Sequence, residues 1–197
     1  MRSRAYMGWC GVGAAGVQAL AVVALAAGLG CGGGSASDLV LPEQVDVTLT
    51  PVGEPGARTL GLELADASGR DVSVRLTGRD LEDVTGVAFE LSYDAEILEY
   101  AGASAGSYFG TAPVTGARVV ERAPGRLVGV AAGMEQASGR SGSGELVRLN
   151  FRLLRLRDTQ TTLGFATPQS LVYGPAGPTP QQTFINAQLV TRIRAPS

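Results

Sequence analysis

The chain has 197 residues, a formal net charge of −2 and 45% hydrophobic residues, which is enough for one domain with a core and a leader. The slightly negative charge gives no indication of a nucleic-acid partner. Histidine is absent and the only cysteines are Cys10 and Cys31, so the composition excludes histidine-dependent triads, cysteine-rich metal sites and a disulfide inside the predicted domain.

Residues 1–30 have the pattern of a bacterial lipoprotein signal peptide. Two arginines precede an apolar run over residues 11–30, and Cys31 follows directly. By analogy with lipoproteins, we expect cleavage before Cys31 and lipidation of its thiol, which would anchor the protein in the cell envelope, at the outer membrane or cell surface. Two alternatives stay open: ordinary signal cleavage near Ala36, giving a secreted protein, and an uncleaved anchor, since about 20 apolar residues can span a bilayer.

Residues 31–43 are predicted to be a flexible tether, because the segment begins with a glycine- and serine-rich tract. Residues 44–197 then form the predicted domain. The first half of the tether carries no pattern that would fix it in a strand or helix.

The domain has the period-2 alternation of strands, separated by glycine- and proline-containing turns. The predicted strands lie at residues 45–49, 60–64, 72–76, 84–93, 97–100, 119–120, 127–132, 145–154, 163–165, 171–173 and 185–193. Loops are predicted at residues 136–144 and 175–180. Many short strands and no amphipathic helix predict an all-β sandwich.

The segment from Val84 to Tyr100, VTGVAFELSYDAEILEY, has the clearest pattern of the domain. An inward row is predicted at Val87, Phe89, Leu91 and Tyr93, followed by a turn and a second strand. This strand–turn–strand segment resembles the cohesin family, the dockerin-binding modules of extracellular bacterial proteins.

The resemblance extends over residues 59–194, through the segments GRDVSVRLTG, GRLVGVAAG, SGSGELVRLNFRLL and FINAQLVTRI. It implies a jelly-roll β-sandwich of about nine strands, cohesin-like and similar in architecture to carbohydrate-binding modules.

The resemblance also implies a partner-binding face on one sheet, built from the third, fifth, sixth and eighth strands of the family fold. Alternation along the strands that match predicts its outward residues. They are Gly86, Ala88, Glu90, Gly129, Ala131, Arg148, Asn150 and Arg152.

Two features qualify the predicted face. Dockerin-binding members carry polar residues where this chain has Gly86 and Ala88, which argues against a typical cellulosomal dockerin. The alternative interpretation is an ordinary solvated face, on which Glu90 pairs across strands with Arg148 or Arg152.

The leader and the resemblance together predict an exported, lipid-anchored, non-catalytic interaction module that binds a dockerin-like or other extracellular protein. One alternative is binding of an extracellular polysaccharide, for which Tyr108 and Phe109 are the candidate exposed aromatic pair; the same pair can instead close the end of the sandwich. Another is a structural part of an envelope assembly. No cofactor is expected.

Two acidic turns, at residues 80–83 and 94–99, are the remaining candidates for chemistry. A glycosidase needs two carboxylates across a cleft, and no second lobe is predicted that would form one. Calcium at Asp80, Glu82 and Asp83 is an alternative, although no EF-hand pattern is present. The sequence predicts no catalytic residue and no metal site.

Overall fold

The computed structural model describes residues 44–110, 115–133, 138–179 and 182–194. The predicted signal peptide, Cys31 and the tether, all within residues 1–43, lie outside the described residues. Where the structure describes the chain, it finds no helix with the length and apolar character needed to cross a membrane.

Thirteen strands run through the described residues. They are β1 (Gln44–Pro51), β2 (Thr59–Ser68), β3 (Asp71–Val84), β4 (Gly86–Ser92), β5 (Leu98–Ala105), β6 (Thr115–Ala123), β7 (Arg126–Gly133), β8 (Arg140–Leu153), β9 (Thr159–Phe165), β10 (Leu171–Gly174), β11 (Gly177–Pro178), β12 (Thr183–Ile185) and β13 (Ala187–Arg194). Every strand predicted from the alternation is present, although the last is divided between two strands. The count exceeds about nine mainly because β10, β11 and β12 are short segments.

The strands form two sheets, as an all-β sandwich requires. The first sheet has the order β1-β13-β9-β4-β10-β11, and β7 and then β6 extend it from the other edge of β4. The second sheet has the order β12-β2-β3-β8-β5. Every pairing is antiparallel except that of β12 with β2.

The core lies between the two sheets and is built from the inward rows of their strands. The inward row predicted on β4 and just after it is confirmed, since Val87, Phe89, Leu91 and Tyr93 are all buried. Phe151 of β8 meets this row from the second sheet, with its ring centroid 5.2 Å from that of Tyr93 in an edge-to-face arrangement.

The loop predicted at residues 136–144 is wrong in its second half. From Arg140 onward this segment belongs to β8, and β3 extends to Val84 to pair with it. The ladder between them is irregular, with several register shifts, and the backbone N–H of Asp80 donates to Ser143 Oγ at 2.9 Å. A bulged ladder held by backbone and serine hydroxyl groups needs no hydrophobic alternation, so its sequence resembles that of a loop.

The last predicted strand, residues 185–193, is divided at Asn186. Ile185 ends β12 in the second sheet, whereas β13 belongs to the first sheet. The Asn186 side-chain oxygen accepts a hydrogen bond from the Phe165 backbone at 2.8 Å, and its carbonyl accepts one from Val52 at 2.7 Å. The chain therefore crosses between the sheets at a residue whose two oxygens both accept hydrogen bonds.

Candidate partner-binding face

Four neighbouring strands of the first sheet, β10, β4, β7 and β6, present one continuous outer surface. Directly opposed residues of paired strands point to the same side of a sheet. The pairing places the outward residues in cross-strand rows, which together we call the front face: Tyr173–Gly86–Ala132–Gly116, Leu171–Ala88–Val130–Arg118, Glu90–Val128–Val120 and Ser92–Arg126.

The front face is apolar at its centre. Val120, Val130 and Leu171 are 47%, 49% and 38% exposed, and they are three of the five large hydrophobic side chains that the described residues expose. The small residues Gly86 and Ala88 leave a shallow depression beside Val130. Clustered exposed apolar side chains on one sheet are typical of an interaction surface.

Charged side chains lie at the margin of this apolar centre. Glu90 forms an ion pair with Arg126, and its side chain is 13% exposed. The Glu90 backbone is also held, since its N–H donates to Ser170 Oγ at 3.1 Å. Arg118 is exposed, and within the described part of the chain it has no ion pair or side-chain hydrogen bond.

Gly86, Ala88 and Glu90 lie on the outward row of β4, as predicted, although Gly86 is itself covered by its neighbours. A Cβ at Gly86 would lie 3.3 Å from the Ala131 carbonyl oxygen and 3.4 Å from the Ala132 Cβ. Their part in binding a partner stays a prediction.

The outward placement of Gly129 and Ala131 is wrong. Both are opposite inward residues of β4, Phe89 and Val87, and both are buried. A Cβ at Gly129 would lie 2.3 Å from the Phe89 ring. Because Leu127 fills the core, the same parity of β7 continues inward, and the alternate residues form the front face.

The placement of Arg148, Asn150 and Arg152 on the same face as Glu90 is also wrong. Strand β8 pairs with β3 and β5 in the second sheet, so this row lies on the opposite side of the sandwich. Arg148 pairs with Glu145 at 2.9 Å instead of with Glu90.

The alternative pairing of Glu90 with Arg148 or Arg152 is therefore wrong as well, because Arg126 is its partner. The outer surface of the second sheet is the one that resembles an ordinary solvated face. There Arg75 pairs with Glu63 at 3.1 Å, and Asn150 accepts a hydrogen bond from Ser73 at 2.8 Å.

Tyr108 and Phe109 close the end of the sandwich. Both are buried, their rings meet edge to face at a centroid distance of 5.0 Å, and the Tyr108 hydroxyl donates to the Arg140 carbonyl at 2.7 Å. Every Tyr and Phe of the described residues is buried or half-buried. The described part of the chain therefore has no exposed aromatic platform for stacking a sugar.

The acidic turn at residues 80–83 is held by contacts within the protein. Asp83 accepts a hydrogen bond from the Gly139 backbone at 2.8 Å, and Glu82 pairs with Arg58. Among the described residues there is no group of three acidic, His or Cys side chains placed to hold a metal ion. The calcium alternative gains no support from this arrangement.

Most residues of the front face were not predicted from the sequence. The missed residues are Leu171, Tyr173, Gly116, Val120, Val128, Val130, Ala132, Arg118 and Arg126. The segment LVGVAAG holds no local signal that would have found them, because apolar residues stand on both of its parities.

Comparison with known proteins finds the same family that the sequence resembles. The family model described as "Cohesin domain" matches residues 59–177. No curated protein matches the sequence.

Solved structures with a similar fold come from Acetivibrio cellulolyticus. A type II cohesin domain from its cellulosome is 12% identical, with a TM-score of 0.57, and the match covers 68% of this chain and 95% of that one. The sixth cohesin of scaffoldin B, solved with a mutant dockerin, is 17% identical, with a TM-score of 0.55 over 66% and 97% of the two chains. The third cohesin of ScaC, solved with a dockerin mutated in its C-terminal helix, is 14% identical, with a TM-score of 0.52 over 72% and 95%.

Proposed function

Because the chain belongs to the cohesin family, we propose that it is a non-catalytic interaction module that binds a dockerin-like protein through the front face. The observation that carries this proposal is the group of exposed apolar side chains that β10, β7 and β6 place on the front face: Leu171, Val130 and Val120. Two of the similar structures are cohesins in complex with a dockerin, which supports the choice of partner class.

The energetics favour the front face over the outer surface of the second sheet. Covering the exposed part of Val120, Val130 and Leu171 contributes on the order of 1 kcal/mol for each side chain. On the second sheet, the pairs Arg75–Glu63 and Arg148–Glu145 are already formed. A partner there would have to remove water from satisfied charges, which offsets much of what it gains.

The front face also has the shape that a helix needs. The depression at Gly86 and Ala88 lies between Tyr173 and Val130. Small residues allow a partner backbone to approach closely, while the flanking side chains provide contact area. The lack of polar groups at Gly86 and Ala88 therefore favours a partner with an apolar docking surface.

The proposal is tested by titrating the purified protein with each dockerin module encoded in its source genome, using calorimetry. We expect at least one to bind, and we expect Val130→Asp to weaken that binding at least about tenfold, since a carboxylate would lose its water in the complex. Asn150→Asp is the matched control, because it adds the same group to the opposite side, and it should bind as the unaltered protein does.

Two results would contradict the proposal. One is that no dockerin of the organism binds, or that its genome encodes none. The other is that Val130→Asp binds as tightly as Asn150→Asp, with both variants shown to be folded by circular dichroism.

We further propose that the protein is exported and held at the cell surface by lipid on Cys31. This part rests on the sequence of residues 1–31, where a basic start and an apolar run precede the cysteine. Cys31→Ala should move the protein from the membrane fraction to the soluble fraction, whereas Cys10→Ala should leave it in place. Unchanged fractionation of Cys31→Ala would contradict lipidation.

A further inference from the structure

Arg118 is the one cation of the front face that is not paired within the described residues. It lies on β6 in the row Leu171–Ala88–Val130–Arg118. Its neighbour on the face, Arg126, is engaged with Glu90.

No carboxylate of the front face is free to reach Arg118. Glu90 is the only acidic residue of the face, lies two strands away on β4 and is held by Arg126. Glu121, on β6 itself, is opposite the inward Leu127 and accepts a hydrogen bond from the Tyr93 hydroxyl. The face thus has one uncompensated positive charge at its β6 edge.

The spacing of the row matches that of a helix laid across the strands. Neighbouring strands are about 4.8 Å apart, so Leu171 and Val130 are separated by roughly 10 Å. Helix residues i, i+4 and i+7 share one side and span about 10.5 Å. A helix whose apolar stripe covers Leu171, Ala88 and Val130 therefore reaches Arg118 about one turn further on.

We infer that the docking helix of the partner carries an apolar stripe that ends over Val130 of β7. About one turn further along the same helix, over β6, an Asp or Glu of the partner pairs with Arg118. The inference rests on the proposed function. Guanidinium and carboxylate groups form two parallel hydrogen bonds, which give direction as well as attraction. A partner with Lys or Arg at that position is repelled, so Arg118 determines specificity.

The inference is tested with a displayed library of dockerin modules whose exposed helix positions are randomised. The library is selected separately against the unaltered protein, against Arg118→Glu, and against Arg152→Glu. Arg152 is also an exposed arginine but lies on the second sheet, so its reversal is the matched control. Thermal unfolding shows that each target is folded.

We expect Asp or Glu to be enriched at the helix end over β6 with the unaltered protein and with Arg152→Glu. With Arg118→Glu, we expect Lys or Arg at the same positions. The best binders of the unaltered protein should lose at least about tenfold in affinity for Arg118→Glu. Enrichment of the same residues by all three targets would overturn the inference.

The outcomes separate this inference from the proposed function. Binders that are weakened by Val130→Asp but show no charge preference contradict the role of Arg118 alone. Binders that are indifferent to Val130→Asp, or a library that yields no binder, contradict the docking face and with it the inference.

Discussion

Phe89 packs in the core in space that is open only because residue 129 is a glycine. The two residues are directly opposed on β7 and β4. A Cβ on Gly129 would lie 2.3, 2.6 and 2.9 Å from three atoms of the Phe89 ring. The ring is almost fully buried, so it has little room to withdraw. The Phe89 ring therefore fills the space that a side chain at position 129 would occupy.

Gly129→Ala should lower the free energy of unfolding by about 1–3 kcal/mol, because overpacking forces the ring or the backbone to shift. Chemical denaturation of the purified protein measures the change. Gly61→Ala is the control, since a Cβ there meets nothing within 4 Å, and we expect it to change stability by about 0.5 kcal/mol or less. Equal stability of the two variants would contradict this account of the core.

The same residue shows what alternation predicts and what it does not. The row from Val87 to Tyr93 has large apolar residues on one parity only, so its inward side was predicted correctly. Strand β7 has apolar residues on both parities, including Val128 and Ala131. Its orientation depends on the Phe89 ring of the neighbouring strand β4, and the sequence of β7 alone gives no information about that ring.

At the level of the element, β8 shows why the candidate face was only partly predictable. Its alternation, with Leu149 and Phe151 inward and Arg148 outward, is correct. The same alternation fits a strand of either sheet, because both sheets have one buried side. Sheet membership follows from pairing with β3 and β5, which is a long-range property. The predicted fold was therefore right, whereas the residues predicted to form one face lie on both sides of the sandwich.

The junction at Asn186 is a second element-level feature that alternation does not indicate. Ile185 and Leu189 are both buried and fit one continuous strand. The break depends instead on hydrogen bonds from Val52 and Phe165, which are distant in sequence. Asn186 stands on the outward parity, as the polar Gln188 does, so the alternation gives no local signal of the crossing.

On the scale of the whole molecule, the absence of lysine and histidine simplifies its alkaline titration. Burial, followed by the hydrogen bond to Glu121 and its charge, raises the pKa of Tyr93 to about 12. Burial also raises the pKa of Tyr108 to about 12. It raises the pKa of Tyr100 as well. An unperturbed tyrosine has a pKa of about 10, so the folded protein holds these protons more tightly than the unfolded chain.

The stability contributed by these tyrosines is fully present below about pH 10 and is lost as the pH rises toward 12, because the unfolded chain loses its protons first. When the pH is raised from 8 to 11, we expect the free energy of unfolding to fall by about 1 kcal/mol for each of Tyr93 and Tyr108. Denaturation at a series of pH values measures this. Tyr93→Phe should reduce the loss, and an identical pH profile for that variant would contradict the assignment.

The first and last strands of the sandwich lie side by side, β1 pairing with β13 from Gln44 and Arg194 to Pro51 and Ala187. Tension applied between Gln44 and Arg194 would therefore open this antiparallel ladder one residue pair at a time, which is the mechanically weak direction. Load that enters at Gln44 and leaves through a partner on the front face bypasses Arg194. Such a load acts on β1, the edge strand of the first sheet, while β13 keeps its second partner β9.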